Sequence, residues 1–190
     1  MSRGVGAVLV AAAVMVSGCG ADDGAVTTTS PPPEAPVNPW DLPLEERPDL
    51  FDPCAEIPIE AVEEALGGPV EPDEQLRIDR PGELLSCGWR NRDVIFTVLA
   101  TWKSRDEYLN DRMFVADEHT VAGRPGLRLT DKSQARSCRL AIFTSSGTVY
   151  SSIDLIHARS AFRGDNFADP CEVLDAVLPQ TLRSLPEGDY

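Results

Sequence analysis

The chain has 190 residues, room for one domain with an appendage, and a formal net charge of −14 from 17 basic and 31 acidic residues. A surface that acidic repels phosphate backbones and anionic headgroups, which excludes nucleic acid as a partner and a peripheral lipid-binding patch. Alanine, proline and arginine are used heavily, with lysine only at Lys103 and Lys132, a usage typical of a GC-rich genome.

At the N-terminus Arg3 is the only charge, and Gly4 to Val16 is an apolar run of thirteen residues. A bilayer-spanning helix needs about 20, whereas a secretory h-region has this length. The run ends in Val16-Ser17-Gly18-Cys19. Small residues directly before a cysteine resemble the lipobox of bacterial lipoproteins. The resemblance implies residues 1–18 as signal peptide, a diacylglyceryl group on the Cys19 thiol, and Cys19 as the new N-terminus. An ordinary signal peptide with an incidental cysteine is the rival reading. Two acyl chains anchor a protein stably where one does so only marginally. The mature chain then carries 16 Lys and Arg against 31 Asp and Glu, or −15.

Residues 19–40 are dense in Thr, Pro and small side chains and read as a disordered tether, unable to bury enough surface to offset ordering entropy. A single domain follows over 41–190, its folded part starting between Trp40 and Asp52. Asp52-Pro53-Cys54 opens a helix: the aspartate caps free N–H groups and the proline pre-sets the first turn. Pro58 restarts it, with Ile59, Val62, Ala65 and Leu66 on one face, and Gly67-Gly68 ends it.

Glu83 to Arg90 and Val94 to Trp102, split by Asn91-Arg92-Asp93, read as a β-hairpin. Ser104 to Glu107 has capping-box spacing, which predicts a helix from Arg105 to Phe114. A short strand follows at His119 to Val121, then a turn at Gly123-Arg124-Pro125-Gly126 and a strand over Leu127 to Thr130. Cys138 to Ile156 carries a second hairpin signal around Ser145-Ser146-Gly147. A second Asp-Pro-Cys, at Asp169 to Cys171, caps the last helix. Its apolar face is Leu174, Val177, Leu178, Leu182 and Leu185, and Pro179 is expected to kink or restart it. The order predicts an α+β domain: an antiparallel sheet built from two hairpins, with helices packed on one face.

Beyond Cys19 the cysteines are Cys54, Cys87, Cys138 and Cys171. An even number in an exported chain reads as two disulfides. Zinc sites pair ligands a few residues apart, and no pair here is so spaced. Pairing Cys54 with Cys87 and Cys138 with Cys171 is favoured, since each bond links an Asp-Pro-Cys cassette to a nearby strand. The rival, Cys54–Cys171 with Cys87–Cys138, requires two strands at close Cα distance.

These residues carry a resemblance. The capped Asp-Pro-Cys, the helix ending Glu64-Ala65-Leu66-Gly67-Gly68, the Cys87-Gly88-Trp89 strand and two later cysteines behind a lipobox resemble a family of actinobacterial lipoproteins. It is the domain-of-unknown-function group that includes LprB and LprC type mycobacterial proteins. The likeness covers about Asp52 to Leu185. It implies lipidation, export and paired cysteines, and brings no reaction, substrate or cofactor. Pro58-Ile59 departs from a more familiar Thr-Pro helix start.

Candidate chemistry is sparse. His119 and His157 are the two histidines, and neither has a neighbour at metal-ligand spacing. Asp117-Glu118-His119 reads as a solvated loop before a strand. Ser151, Ser152, Asp154 and His157 lie close in sequence, yet no nucleophile elbow presents a serine, and at strand spacing Ser152 and Asp154 share a face opposite His157. We therefore expect no enzyme, no catalytic or metal-binding residue and no cofactor. Trp89, Phe96, Trp102, Phe143 and Tyr150 fall on predicted strands, as core or as the lining of an apolar pocket. The leading expectation is a lipid-anchored interaction or accessory module on the extracytoplasmic face of the cell membrane, with an envelope protein as partner. A carrier or sensor for a small apolar ligand is the alternative, and a hydrolase the weakest reading.

Overall fold

The structure, a computed structural model, describes residues 37–131, 133, 135–157, 161–162, 165–166, 169–188 and 190. The expected signal peptide, Cys19 and the tether as far as Pro36 lie outside the described residues.

Trp40, in a 3₁₀ turn at Pro39–Asp41, already belongs to the fold. Its Nε1 donates to the Thr144 carbonyl at 3.0 Å, and its ring lies 5.0 Å from Trp102 and 6.2 Å from Phe143. Asp52 then caps α1 (Pro53–Glu56), its carboxylate accepting from the Cys54 and Ala55 N–H groups at 2.9 and 3.2 Å. Helix α2 (Ile59–Leu66) buries Val62, Ala65 and Leu66 and stops at Gly67, whose φ of 75° suits a residue without a Cβ. Ile59, expected on that buried face, stays exposed in the first turn.

Two short strands carry no alternation and were not expected. They are β1 (Glu71–Pro72) and β2 (Ile78–Arg80), and both pair with β3 (Leu84–Arg90). The link between them includes Leu76, which lies so close over Gly88 that a Cβ there would be 2.6 Å from the leucine Cβ. Strand β4 (Val94–Thr101) completes the first hairpin, with the Asn91 side-chain oxygen accepting from the Asp93 and Val94 N–H groups at 2.9 Å.

Helix α3 (Arg105–Leu109) has the full capping box between Ser104 and Glu107 but is shorter than expected. Asn110 Nδ2 donates to the Asp106 carbonyl at 2.8 Å, and Asp111 accepts from the Met113 N–H at 3.0 Å. These side chains offer the backbone local partners in place of another helical turn. Strand β5 (Phe114–Val121) therefore starts well before His119 and forms a hairpin with β6 (Arg124–Asp131). The turn is Ala122-Gly123, at φ 50° and 83°, rather than the four residues from Gly123 to Gly126. Two consecutive positive φ values match the twist of the flanking strands, so Arg124, Pro125 and Gly126 stay in the sheet.

Strands β7 (Ser137–Thr144) and β8 (Gly147–Leu155) make the third hairpin, and β9 (Ala161–Phe162) and β10 (Asp165–Asn166) a separate small one. Helix α4 (Pro170–Thr181) is capped by Asp169, which accepts from the Cys171 N–H at 2.8 Å. It runs through Pro179 without the restart that was one of the two expected outcomes, and continues as a 3₁₀ turn at Leu182–Ser184. Val173, Leu174, Val177 and Leu178 bury its face against the sheet, and this packing outweighs the hydrogen bond that proline removes.

The main sheet is antiparallel, in the order β1-β3-β4-β8-β7-β6-β5, with β2 also on β3. It holds three hairpins rather than the two read from sequence. Helices α1, α2 and α4 gather on one face over Val94, Phe96, Val98, Leu140, Ile142 and Ile153, while the short α3 lies on the other. Bonds join Cys54 to Cys87 and Cys138 to Cys171, with Cα separations of 5.2 and 5.0 Å. Each staples a helix start to the sheet.

Candidate functional site

Strand alternation and register divide the sheet's polar residues between two faces. On the helix face, His119 of β5 and Arg128 of β6 reach Asp175 of α4. His119 Nε2 is 3.0 Å from one carboxylate oxygen, and Arg128 donates to the other at 2.5 Å. Arg128 also touches His119 Nε2. His119 is thus a half-buried strand residue opposite Gly126, not part of a solvated loop. Asp117 shares its face, while Glu118 points the other way and pairs with Arg105, so the three do not converge on a cation.

The opposite face is polar and partly open. Register sets Ile95, Asp154 and Ser137 side by side across β4, β8 and β7, then Thr97, Ser152 and Arg139, then Leu99, Tyr150 and Ala141. Leu76 covers this floor at the β3 side, and Tyr108 of α3 closes the other end, its ring stacked on Tyr150 at 6.0 Å. Burial drives the Tyr108 hydroxyl pKa far up and pushes that of Tyr150 up to about 12. Both remain neutral phenols at physiological pH and do not serve as bases.

Arg139 lies between these groups with its side chain only 14% exposed, 4.0 Å from the Asp131 carboxylate. Its guanidinium stands 5.4 Å from the Phe114 ring centre and hydrogen-bonds the Tyr150 hydroxyl. Its Nη1 is buried without a hydrogen-bond partner among the described residues. Burial raises the Asp154 carboxyl pKa, opposed by the charge of Arg139 and a hydrogen bond from Ser137. Beside Asp154 opens a groove of about 490 Å³, with Ile95 and Ile156 as apolar wall and Ser137 and Arg136 as polar rim. This volume is within the usual range for small-molecule sites, roughly 300–1,000 Å³. The arrangement can hold charged groups of both signs against an apolar wall.

Of the serines weighed as nucleophiles, Ser152 lies on this open face with Asp154, Ser151 faces the helices, and His157 follows the end of β8. The aromatic residues fill the interior: Trp89, Phe96 and Trp102 belong to the main core, and Phe143 and Tyr150 to the smaller cluster under α3. Sequence reasoning missed Arg139, Tyr150 and Asp131 as neighbours, because only the pairing of β6, β7 and β8 brings them together.

No curated protein and no solved structure matches the chain. The sequence profile of a family described as "Protein of unknown function (DUF3558)" matches residues 14–183, almost the whole length, and the chain belongs to that family.

Proposed function

We propose that the chain is exported and held on the extracytoplasmic face of the cell membrane by acyl chains on Cys19. Its folded domain then acts as an interaction module for another envelope protein, working by contact rather than by turnover. The run of small residues and cysteine at Val16 to Cys19, behind an apolar stretch, carries this reading, and the family match, which begins at residue 14, spans it. The two disulfides support export, since such bonds persist in oxidising compartments. Contact with a protein is supported by two large apolar side chains at the end of α3 and just before the edge strand β5, Leu109 and Met113, which are 48% and 65% exposed.

Fractionation of the source cells tests the anchor. Wild type is expected in the membrane pellet with incorporated radiolabelled fatty acid, and Cys19→Ala in the soluble or secreted fraction without label. Equal labelling of both would overturn the lipidation. Crosslinking in the same cells tests the module, with a specific protein adduct expected that Met113→Asp weakens.

A further inference from the structure

The groove beside Asp154 has a composition that the anchored-module reading does not use. Its Asp154 carboxylate makes no ion pair within 4.0 Å among the described residues, and Arg139 acts on it only from farther away. Ser137, directly across the β7–β8 ladder, supplies a hydroxyl at the same level. On the rim, Arg136 is exposed and donates from Nη1 to the Ile156 carbonyl at 3.1 Å, which ties the guanidinium to the end of β8 and leaves its other donors without a hydrogen bond among the described residues. The Leu155 N–H donates to the Arg136 carbonyl at 2.9 Å, holding the two strand ends together. Ile95 and Ile156 supply the apolar wall of the groove.

We propose that this groove binds a small zwitterion with an apolar side chain, the chemistry of a free amino acid. The ammonium pairs with Asp154 and Ser137, the carboxylate with the remaining donors of Arg136, and the side chain lies along Ile95 and Ile156. Each charge on the ligand meets its opposite, so neither protein group stays uncompensated, and the net negative charge of the chain favours approach with the ammonium leading. A ligand with only one of the charges satisfies half of the site. The proposal is independent of acylation at Cys19 and of any protein partner.

Titration of the ¹⁵N-labelled full chain in nonionic detergent tests it by amide chemical shifts, using leucine, isoamylamine and 4-methylpentanoate. Leucine is expected to give saturable shifts at Ser137 and Leu155, isoamylamine weaker ones, and 4-methylpentanoate the weakest. Asp154→Asn should weaken leucine at least tenfold, the effect of losing one charge-assisted contact. Arg136→Ala, an exposed change that leaves the fold intact, should weaken leucine while leaving isoamylamine unaltered. No saturable shift with any of the three up to the solubility of leucine would overturn the proposal. Equal leucine affinity in wild type and Asp154→Asn, or shifts confined to another part of the sheet, would do the same.

Discussion

Asp175 and His119 lie 56 residues apart in the chain and meet at 3.0 Å, joining α4 to the edge strand β5. Arg128 on β6 donates to the same carboxylate at 2.5 Å, so one helix side chain holds both strands of the β5–β6 hairpin. Truncating it leaves a half-buried guanidinium without its anion. Asp175→Ala is expected to destabilise the fold by about 1–3 kcal/mol, the usual effect of stranding a buried charged donor. Urea unfolding measures this, and hydrogen exchange should quicken first in β5 and β6. A change below about 0.5 kcal/mol would mean that water replaces the carboxylate without loss.

The Cys138–Cys171 bond closes a loop with a sequence separation of 33. The chain-entropy relation gives about 3–4 kcal/mol for such a loop. The double variant Cys138→Ser with Cys171→Ser should lose that much stability, a large part of the roughly 5–15 kcal/mol typical of a domain. Chemical denaturation under oxidising conditions reads it directly. If the double variant and wild type unfold at the same midpoint, the bond does not restrain the unfolded chain.

The two aspartate caps are unequal. Asp52 accepts from two N–H groups, at 2.9 and 3.2 Å, and Asp169 from one, at 2.8 Å. Replacing either by alanine should destabilise by about 1 kcal/mol, with Asp52→Ala the more damaging. Thermal melts of the two variants side by side give the ranking. The reverse order would show that cap worth follows helix length rather than the number of donors satisfied.

Asp154 gives a pH dependence with a defined sign. Its folded pKa is raised above the usual 3.8, by burial first, with Arg139 and Ser137 opposing. Below 3.8 both folded and unfolded chains carry the proton, and the group has no effect on stability. Above the folded value both are ionised and the whole burial penalty applies. Asp154→Asn is therefore expected to be more stable than wild type at neutral pH. The gap should narrow as pH falls and close near the unfolded value. Glu107, whose pKa is lowered by hydrogen bonds in its capping box, acts with the opposite sign but equally in both proteins, so it cancels in the difference. A gap independent of pH would show that the carboxylate is not penalised by the fold.

Elements with a strong local signal were legible in the sequence. Val94, Phe96, Val98 and Ala100 alternate over a long strand, and each Asp-Pro-Cys announces a helix start through residues adjacent in the chain. Strands β1 and β2 span two and three residues and owe their existence to β3, so no periodicity marks them. The limits of α3 depended on Asn110 and Asp111 competing for backbone groups, which a helical pattern does not register. Asp154 could be placed on the face of Ser152 from spacing alone. Its position beside Ile95 and Ser137 required the pairing of β4 with β8, strands separated by two hairpins' length of chain. His119 was misread for the same reason: its partner Asp175 comes from the last helix.

The two disulfides follow one another along the chain without overlap, Cys54 with Cys87 and then Cys138 with Cys171. A polypeptide delivered N-terminus first thus presents a complete first pair before either cysteine of the second has emerged. With Cys19 acylated as proposed, the only thiol available for oxidation at each stage is the native partner, and strictly sequential pairing reaches the final connectivity with no bond to be undone. An oxidase that joins cysteines in order of arrival would then suffice without an isomerase, whereas a free Cys19 thiol would be joined first to Cys54.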